Sequence, residues 1–187
     1  RFEADLADSG TLWLSDTPEL AGSKTWGNGI PRVASWLRLV DRASQRGFYV
    51  FNTHWDHRDQ NSREHAALLL ARKIDARKFP DQPVVMLGDF NAVENNPAVA
   101  YLVGKRVSLA GQEGIWKHGL LETFQILHAN DTGRTTLHFW SGTRNGVRKV
   151  DHILVSEGAK VIDANIRDGD SPMISDHFPV TSHVVFP

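Results

Sequence analysis

Cysteine is absent from the 187 residues. Disulfides, thiolate zinc sites and a cysteine nucleophile are thereby excluded, while the absence fits the cytosol and an exported bacterial protein equally well. No apolar run approaches the roughly 20 residues that a membrane-spanning helix needs, and no signal-peptide pattern is visible. An excess of charge is missing too. The 21 Lys and Arg against 22 Asp and Glu leave a formal net charge of -1, which disfavours non-specific grip on long duplex DNA but leaves room for a local basic patch. What is present is ordinary for a water-soluble chain: 41% hydrophobic and 23% charged residues, enough for one domain over residues 1–187, expected to be a monomer with a sizeable core.

Residues 83–91, PVVMLGDFN, are the stretch around which the rest is organised. Val84 to Leu87 is a short apolar run stopped by Gly88, as in a strand buried on both faces. At its carboxyl end stand Asp89 and Asn91, expected to point one way along an extended chain while Phe90 packs inward. A carboxylate beside a carboxamide holds a hard cation or a water, or donates to an oxyanion; the same residues also make ordinary turns.

Before it, Phe2 to Ser15 reads as strand, followed by a polar loop over Asp16–Pro31 that carries Trp26, either a substrate-stacking ring or a residue packed over the sheet edge. Val33–Val40 and Phe48–Phe51 read as a hairpin running into Asn52-Thr53-His54-Trp55-Asp56-His57. His54, at a strand end, suits a phosphate contact or a proton donor to a leaving group; His57 reads as structural. A helix follows, capped by Asn61 or Ser62 with Glu64 placed for a capping box. Arg63 in its first turn gains nothing from the helix dipole, so it faces either an anion or a neighbouring acid. Asn96-Pro97 opens a short second helix. Thr135–Trp140 reads as strand, and Phe139, Trp140, Arg144, Arg148 and Lys149 combine aromatics and positive charge as a phosphate- or base-binding region would. Lys149–Val155 is a buried strand entered by Asp151. Ser175-Asp176-His177 precedes the final strand, Thr181–Phe186.

Taken together, Asn52-Thr53-His54, Gly88-Asp89-Phe90-Asn91, Asp151-His152-Ile153 and Ser175-Asp176-His177-Phe178-Pro179-Val180, in this order, resemble the endonuclease/exonuclease/phosphatase superfamily. The resemblance covers essentially the whole chain. It implies an α/β fold, the four-layer α-β-β-α sandwich of pancreatic deoxyribonuclease, and a metal-dependent phosphoesterase acting by in-line water attack. By similarity Asp89 orients the attacking water, beside a metal. Asn91 donates to the phosphoryl oxygen, and His177, oriented by Asp151, contacts the scissile phosphate. Asp176, with Asp89 and Asn91, lies on the metal side, and His54 approaches from the opposite wall. Arg32, Arg63 and Trp26 are further substrate contacts. Oxygen ligands favour magnesium or manganese. The substrate class is a phosphate ester: a nucleic acid, nucleotide, sugar phosphate or phospholipid head group.

One departure accompanies the resemblance. Members usually open with a strand bearing an asparagine and then a Gln-Glu pair whose glutamate is the principal metal ligand, and nothing before Thr53 matches. The chain is therefore expected to cover the C-terminal two-thirds of the family fold and, as these 187 residues, to bind metal poorly. The rival readings are a binding domain without catalysis and, on Thr53-His54-Trp55-Asp56-His57, a zinc hydrolase of the metallo-β-lactamase type, whose motif this segment is too short to supply.

Overall fold

A crossover helix joins two parallel strands at the centre of the molecule, and the other elements are laid against them. The computed structural model describes residues 1–131, 133–144, 146–168 and 173–187. In chain order the elements are β1 (Phe2–Trp13), β2 (Val33–Asp41), β3 (Gly47–His54), α1 (Gln60–Asp75), β4 (Val84–Asp89), α2 (Pro97–Leu102), β5 (Val107–Leu109), β6 (Gln112–Gly114), β7 (Leu121–Glu122), α3 (Thr123–Leu127), β8 (Asp151–Val155), β9 (Lys160–Ile166) and β10 (Val180–Val185).

Six strands form the main sheet in the order β1-β2-β3-β4-β8-β7, with β3 and β4 parallel and the other neighbours antiparallel. A parallel pair cannot be closed by a tight turn, so α1 carries the chain back across the sheet. Ala66, Ala67, Leu70, Ala71 and Ile74 fall on one side of α1, at helical spacing. They meet Tyr49, Phe51, Val84, Met86 and Leu154 from the sheet in the larger core, to which α2 adds Ala98, Val99 and Leu102. On the other side lies a two-stranded sheet of β9 and β10, whose Ala164 and Ile166 pack with Phe124 of α3 and with Phe178 in a smaller second core. The layers thus run helix, sheet and sheet, with α3 packed against both β8 and β9 and the second sheet reduced to two strands among the described residues.

The start of α1 differs from expectation. Asp59, not Asn61 or Ser62, caps it, accepting the Ser62 N–H at 2.9 Å. Glu64 closes no capping box: its carboxylate takes the Ala110 N–H and the Gln60 side chain. The Asn96 cap and Pro97 at the first turn of α2 are as read. Thr135–Trp140 is not a regular strand; only Leu137 bridges, to His177. β9 has no counterpart in the sequence reading, since Lys160–Ile166 has charged and polar residues among its apolar ones.

Candidate active site

Strand register builds the site. His54 lies opposite Asp89 across β3 and β4, and Asp89 lies opposite Asp151 across β4 and β8. Directly opposed residues in neighbouring strands project to the same face. Thr53, one position earlier on β3, faces the α1 core, so the row His54–Asp89–Asp151 emerges on the face away from that helix. His54 Nε2 is 3.3 Å from Asp89 Oδ2. His177 arrives from outside the main sheet, on the segment before β10. That segment is held by the Leu137–His177 bridge, by the His138 N–H donating to Asp176 O at 2.9 Å, and by the Phe178 N–H donating to Thr136 O at 2.8 Å. His177 Nδ1 then lies 2.8 Å from Asp151 Oδ2. Asp89, Asp151 and His177 line a cavity of about 450 Å³ together with His138, Ile153 and Arg167.

Two local features fix the tip of β4. Gly88 has φ of 139°, and a Cβ there would stand 1.9 Å from the Thr53 carbonyl oxygen, so β3 and β4 approach as they do only because the residue is glycine. Asn91 is not extended, as the alternation expected; it sits at φ of 47°, the left-handed region that asparagine tolerates. Its N–H donates to Asp89 Oδ1 at 2.8 Å and its Nδ2 to Trp55 O at 3.0 Å. The side chain thereby stays beside Asp89 despite the turn. Phe90 packs inward as expected, fully buried between Trp55, at 4.4 Å between ring centroids, and His152, at 5.1 Å.

The electrostatics divide the two histidines. Burial raises the proton affinity of Asp89 above the usual carboxylate range; the Asn91 N–H opposes this and Asp151 adds to it. His177 is raised above the ordinary imidazole value, chiefly by its hydrogen bond to Asp151, with burial pulling the other way. His54 is lowered, first by desolvation and then by Arg32 and His177, against the pull of Asp89. The arrangement therefore favours the charged form of one imidazole and the neutral form of the other, on either side of a carboxylate.

Beneath the row lies a buried network that the sequence reading assigned otherwise. Lys149, placed among substrate-region residues, is 1% exposed. Its Nζ donates to Glu122 Oε1 at 2.7 Å and Asp151 O at 2.9 Å, and lies 3.1 Å from His152 Nδ1. His152 Nε2 in turn lies 2.9 Å from the Ala92 carbonyl. The network ties the Asp151 backbone to the loop after Asn91. Glu122 and His152 gave no sequence signal as its members, because they meet only when β7 and β8 pair.

The remaining expected residues are placed as follows. Asp176 is beside His177 in sequence, but the three ligand atoms lying within 4.8 Å of one another, among the described residues, belong to Asp89, Asp151 and His177. Trp26 is 6% exposed, stacked on His65 at 5.1 Å and bonded through Nε1 to Asp16, so it is a packing residue and not a stacking surface for substrate. Arg63 turns its guanidinium to Asp56 O and Gln60 Oε1, inside the fold. Arg32 lies at the His54 end of the row, with Nη2 3.1 Å from His57 Nδ1. Arg144 pairs with Asp131, while Phe139 and Trp140 remain exposed with Arg148 over the Phe139 ring.

A carboxylate row flanked by imidazoles thus stands at the strand ends of a layered α/β sandwich, and that sandwich is the deoxyribonuclease-like fold. The sequence model of the endonuclease/exonuclease/phosphatase family matches residues 3–177, and the chain belongs to that family. An endonuclease/exonuclease/phosphatase from Bacteroides vulgatus superposes with a TM-score of 0.82 at 24% identity, covering 100% of this chain and 67% of that one. A mannosyl-6-phosphatase of Bacteroides thetaiotaomicron gives 0.76 at 24% identity, covering 100% and 68%. An uncharacterized protein of Acanthamoeba polyphaga mimivirus is 34% identical over 82 residues, 42% of this chain and 30% of that protein. The chain spans about two-thirds of the two solved structures, and the mimivirus match spans less than a third of its protein.

Proposed function

We propose that the chain carries the phosphoester-hydrolysing part of a metal-dependent enzyme, with Asp89 at its centre. Asp89 takes a proton from, or orients, the attacking water; its burial raises its affinity for that proton. The new P–O bond forms to the water oxygen as the bond to the leaving oxygen breaks. His177, held by Asp151 and shifted toward its charged form by that contact, donates to a non-bridging phosphoryl oxygen. Asn91 stands beside Asp89 to donate from its amide, and His54 reaches the phosphate or the leaving oxygen from the far side of the row. The donor set fits one hard cation: the carboxylate oxygens of Asp89 and Asp151 would hold it, with water completing the shell, as magnesium or manganese prefers. When bound, such a cation offsets the charge that develops on the phosphoryl oxygens.

The observation that carries this reading is the convergence of His54, Asp89, Asp151 and His177 from four separate parts of the chain. The mannosyl-6-phosphatase that shares the fold supports a phosphate ester as substrate class. A screen of nucleotide, nucleic acid, sugar-phosphate and phospholipid substrates with excess magnesium tests it. Turnover that Asp89→Asn lowers by about a hundredfold or more is expected. A chain that binds phosphate esters with no Asp89-dependent turnover would instead be a binding domain.

A further inference from the structure

Beyond the row, the segment that leaves β3 carries a second concentration of donors. Arg32 Nη2 lies 3.1 Å from His57 Nδ1, and Arg58 Nε lies 3.1 Å from His57 Nε2. A guanidinium only donates, and a neutral imidazole has a single lone pair. One of these two contacts therefore sets donor against donor, whichever tautomer His57 adopts. Arg32 is nine-tenths buried, and its Nε has no hydrogen-bond partner among the described residues. The nearest carboxylate oxygen, Asp56 Oδ2, is 3.9 Å away. The local acids are already engaged: Asp56 Oδ1 accepts the Arg58 and Asp59 N–H groups, and Asp59 caps α1. Two cations and a surplus imidazole donor are thus left facing one another, three residues from His54.

We propose that Arg32, His57 and Arg58 form an anion subsite that takes a second phosphoryl group of the same substrate, not the one that is cleaved. An oxyanion seated there accepts from Arg32 and from a His57 N–H together and removes the donor-on-donor contact; a phosphate oxygen suits the guanidinium fork. The substrate would then carry two phosphoryl groups, either on one small molecule or on successive nucleotides. The proposal rests on the phosphoesterase reading only for which phosphoryl group is cleaved. The anion site itself stands on the geometry above.

Isothermal titration of the chain in metal-free buffer, with adenosine 5′-monophosphate, adenosine 3′,5′-bisphosphate and the dinucleotide pTpT as probes, tests it. His57 and Arg58 are exposed, so Arg58→Gln and His57→Gln leave the core untouched. The bisphosphate or the dinucleotide is expected to bind about tenfold more tightly than the monophosphate, with Arg58→Gln erasing most of that advantage and sparing monophosphate affinity. Which of the two gains separates a small bisphosphate from a nucleotide strand. Equal affinities for all three, no binding of any, or equal losses in the variants would overturn the proposal. A retained bisphosphate advantage in a chain without phosphoesterase turnover would sink the catalytic reading and leave the subsite standing.

Discussion

His177 and Glu122 show what single contacts do to charge in this protein. The carboxylate of Asp151, 2.8 Å from Nδ1, keeps His177 protonated to higher pH than an ordinary imidazole. Proton NMR titration of the His177 ring should give a midpoint above the usual 6.5. Asp151→Asn should bring it down, because only the charges of Asp89 and Asp176 then oppose burial; an unchanged midpoint would remove Asp151 from its role. Glu122 shifts in the opposite sense. Burial opposes its ionisation, but nearby His152 and the Lys149 ammonium, which donates to Oε1 at 2.7 Å, outweigh it and hold the carboxyl at about 2, against 4.5 ordinarily. A depressed carboxyl stabilises the fold above its unfolded value and loses that contribution as pH falls through the folded one. The shift corresponds to about 3 kcal/mol. Urea midpoints should therefore drop between pH 4.5 and about 2, and Glu122→Gln should flatten that part of the profile. Asp89 and His177 were legible as members of the candidate site because Gly-Asp-Phe-Asn and Ser-Asp-His stand at strand ends. Lys149 was not, since a lysine reads as exposed until its buried partner is known.

The β3–β4 pair shows how an element positions chemistry. Register alone puts His54, Asp89 and Asp151 in one row, and Gly88 lets the two strands close to that register. Gly88→Ala meets both a forbidden φ and the Thr53 carbonyl, so it should destabilise by about 3 kcal/mol or more, or prevent folding, as chemical denaturation would measure. A loss below about 1 kcal/mol would show that the strands have room to separate. An apolar run announced β4, and β8 read as a second buried strand, while the turn between two strand-like segments announced β2 and β3 as a hairpin. α1 was clear as a helix, but its first residue was not: Asp59, Asn61 and Ser62 are all good caps, and only the exit angle of the chain from β3 selects among them. β9 gave a weak signal because Ile162 faces solvent with its polar positions, while Val161, Ala164 and Ile166 meet a core assembled from α3 and Phe178.

The whole molecule is a family fold in which a six-stranded sheet meets a two-stranded one, with the site at their common rim. The order of the motifs along the chain conveyed that architecture before any coordinates did. The pairing of Leu137 with His177 was not legible, since it joins segments 40 residues apart with no periodic pattern in either. The ligand set available here is small, two carboxylates and an imidazole within 4.8 Å, with the imidazole already hydrogen-bonded to one of the carboxylates. Calorimetric titration of these 187 residues with magnesium should accordingly show weak binding, about millimolar; tight stoichiometric binding would contradict this.

The central claim is that residues distant in sequence act on one phosphorus atom. Single-turnover hydrolysis with excess magnesium, comparing the parent chain with Asp89→Asn, His177→Ala and the double variant, tests it most directly. Groups that act as a unit are strongly non-additive, so each single change should remove about a hundredfold or more and the double change little beyond that. Losses that multiply, or a His177 variant with full activity, would mean that the two side chains do not share a reaction.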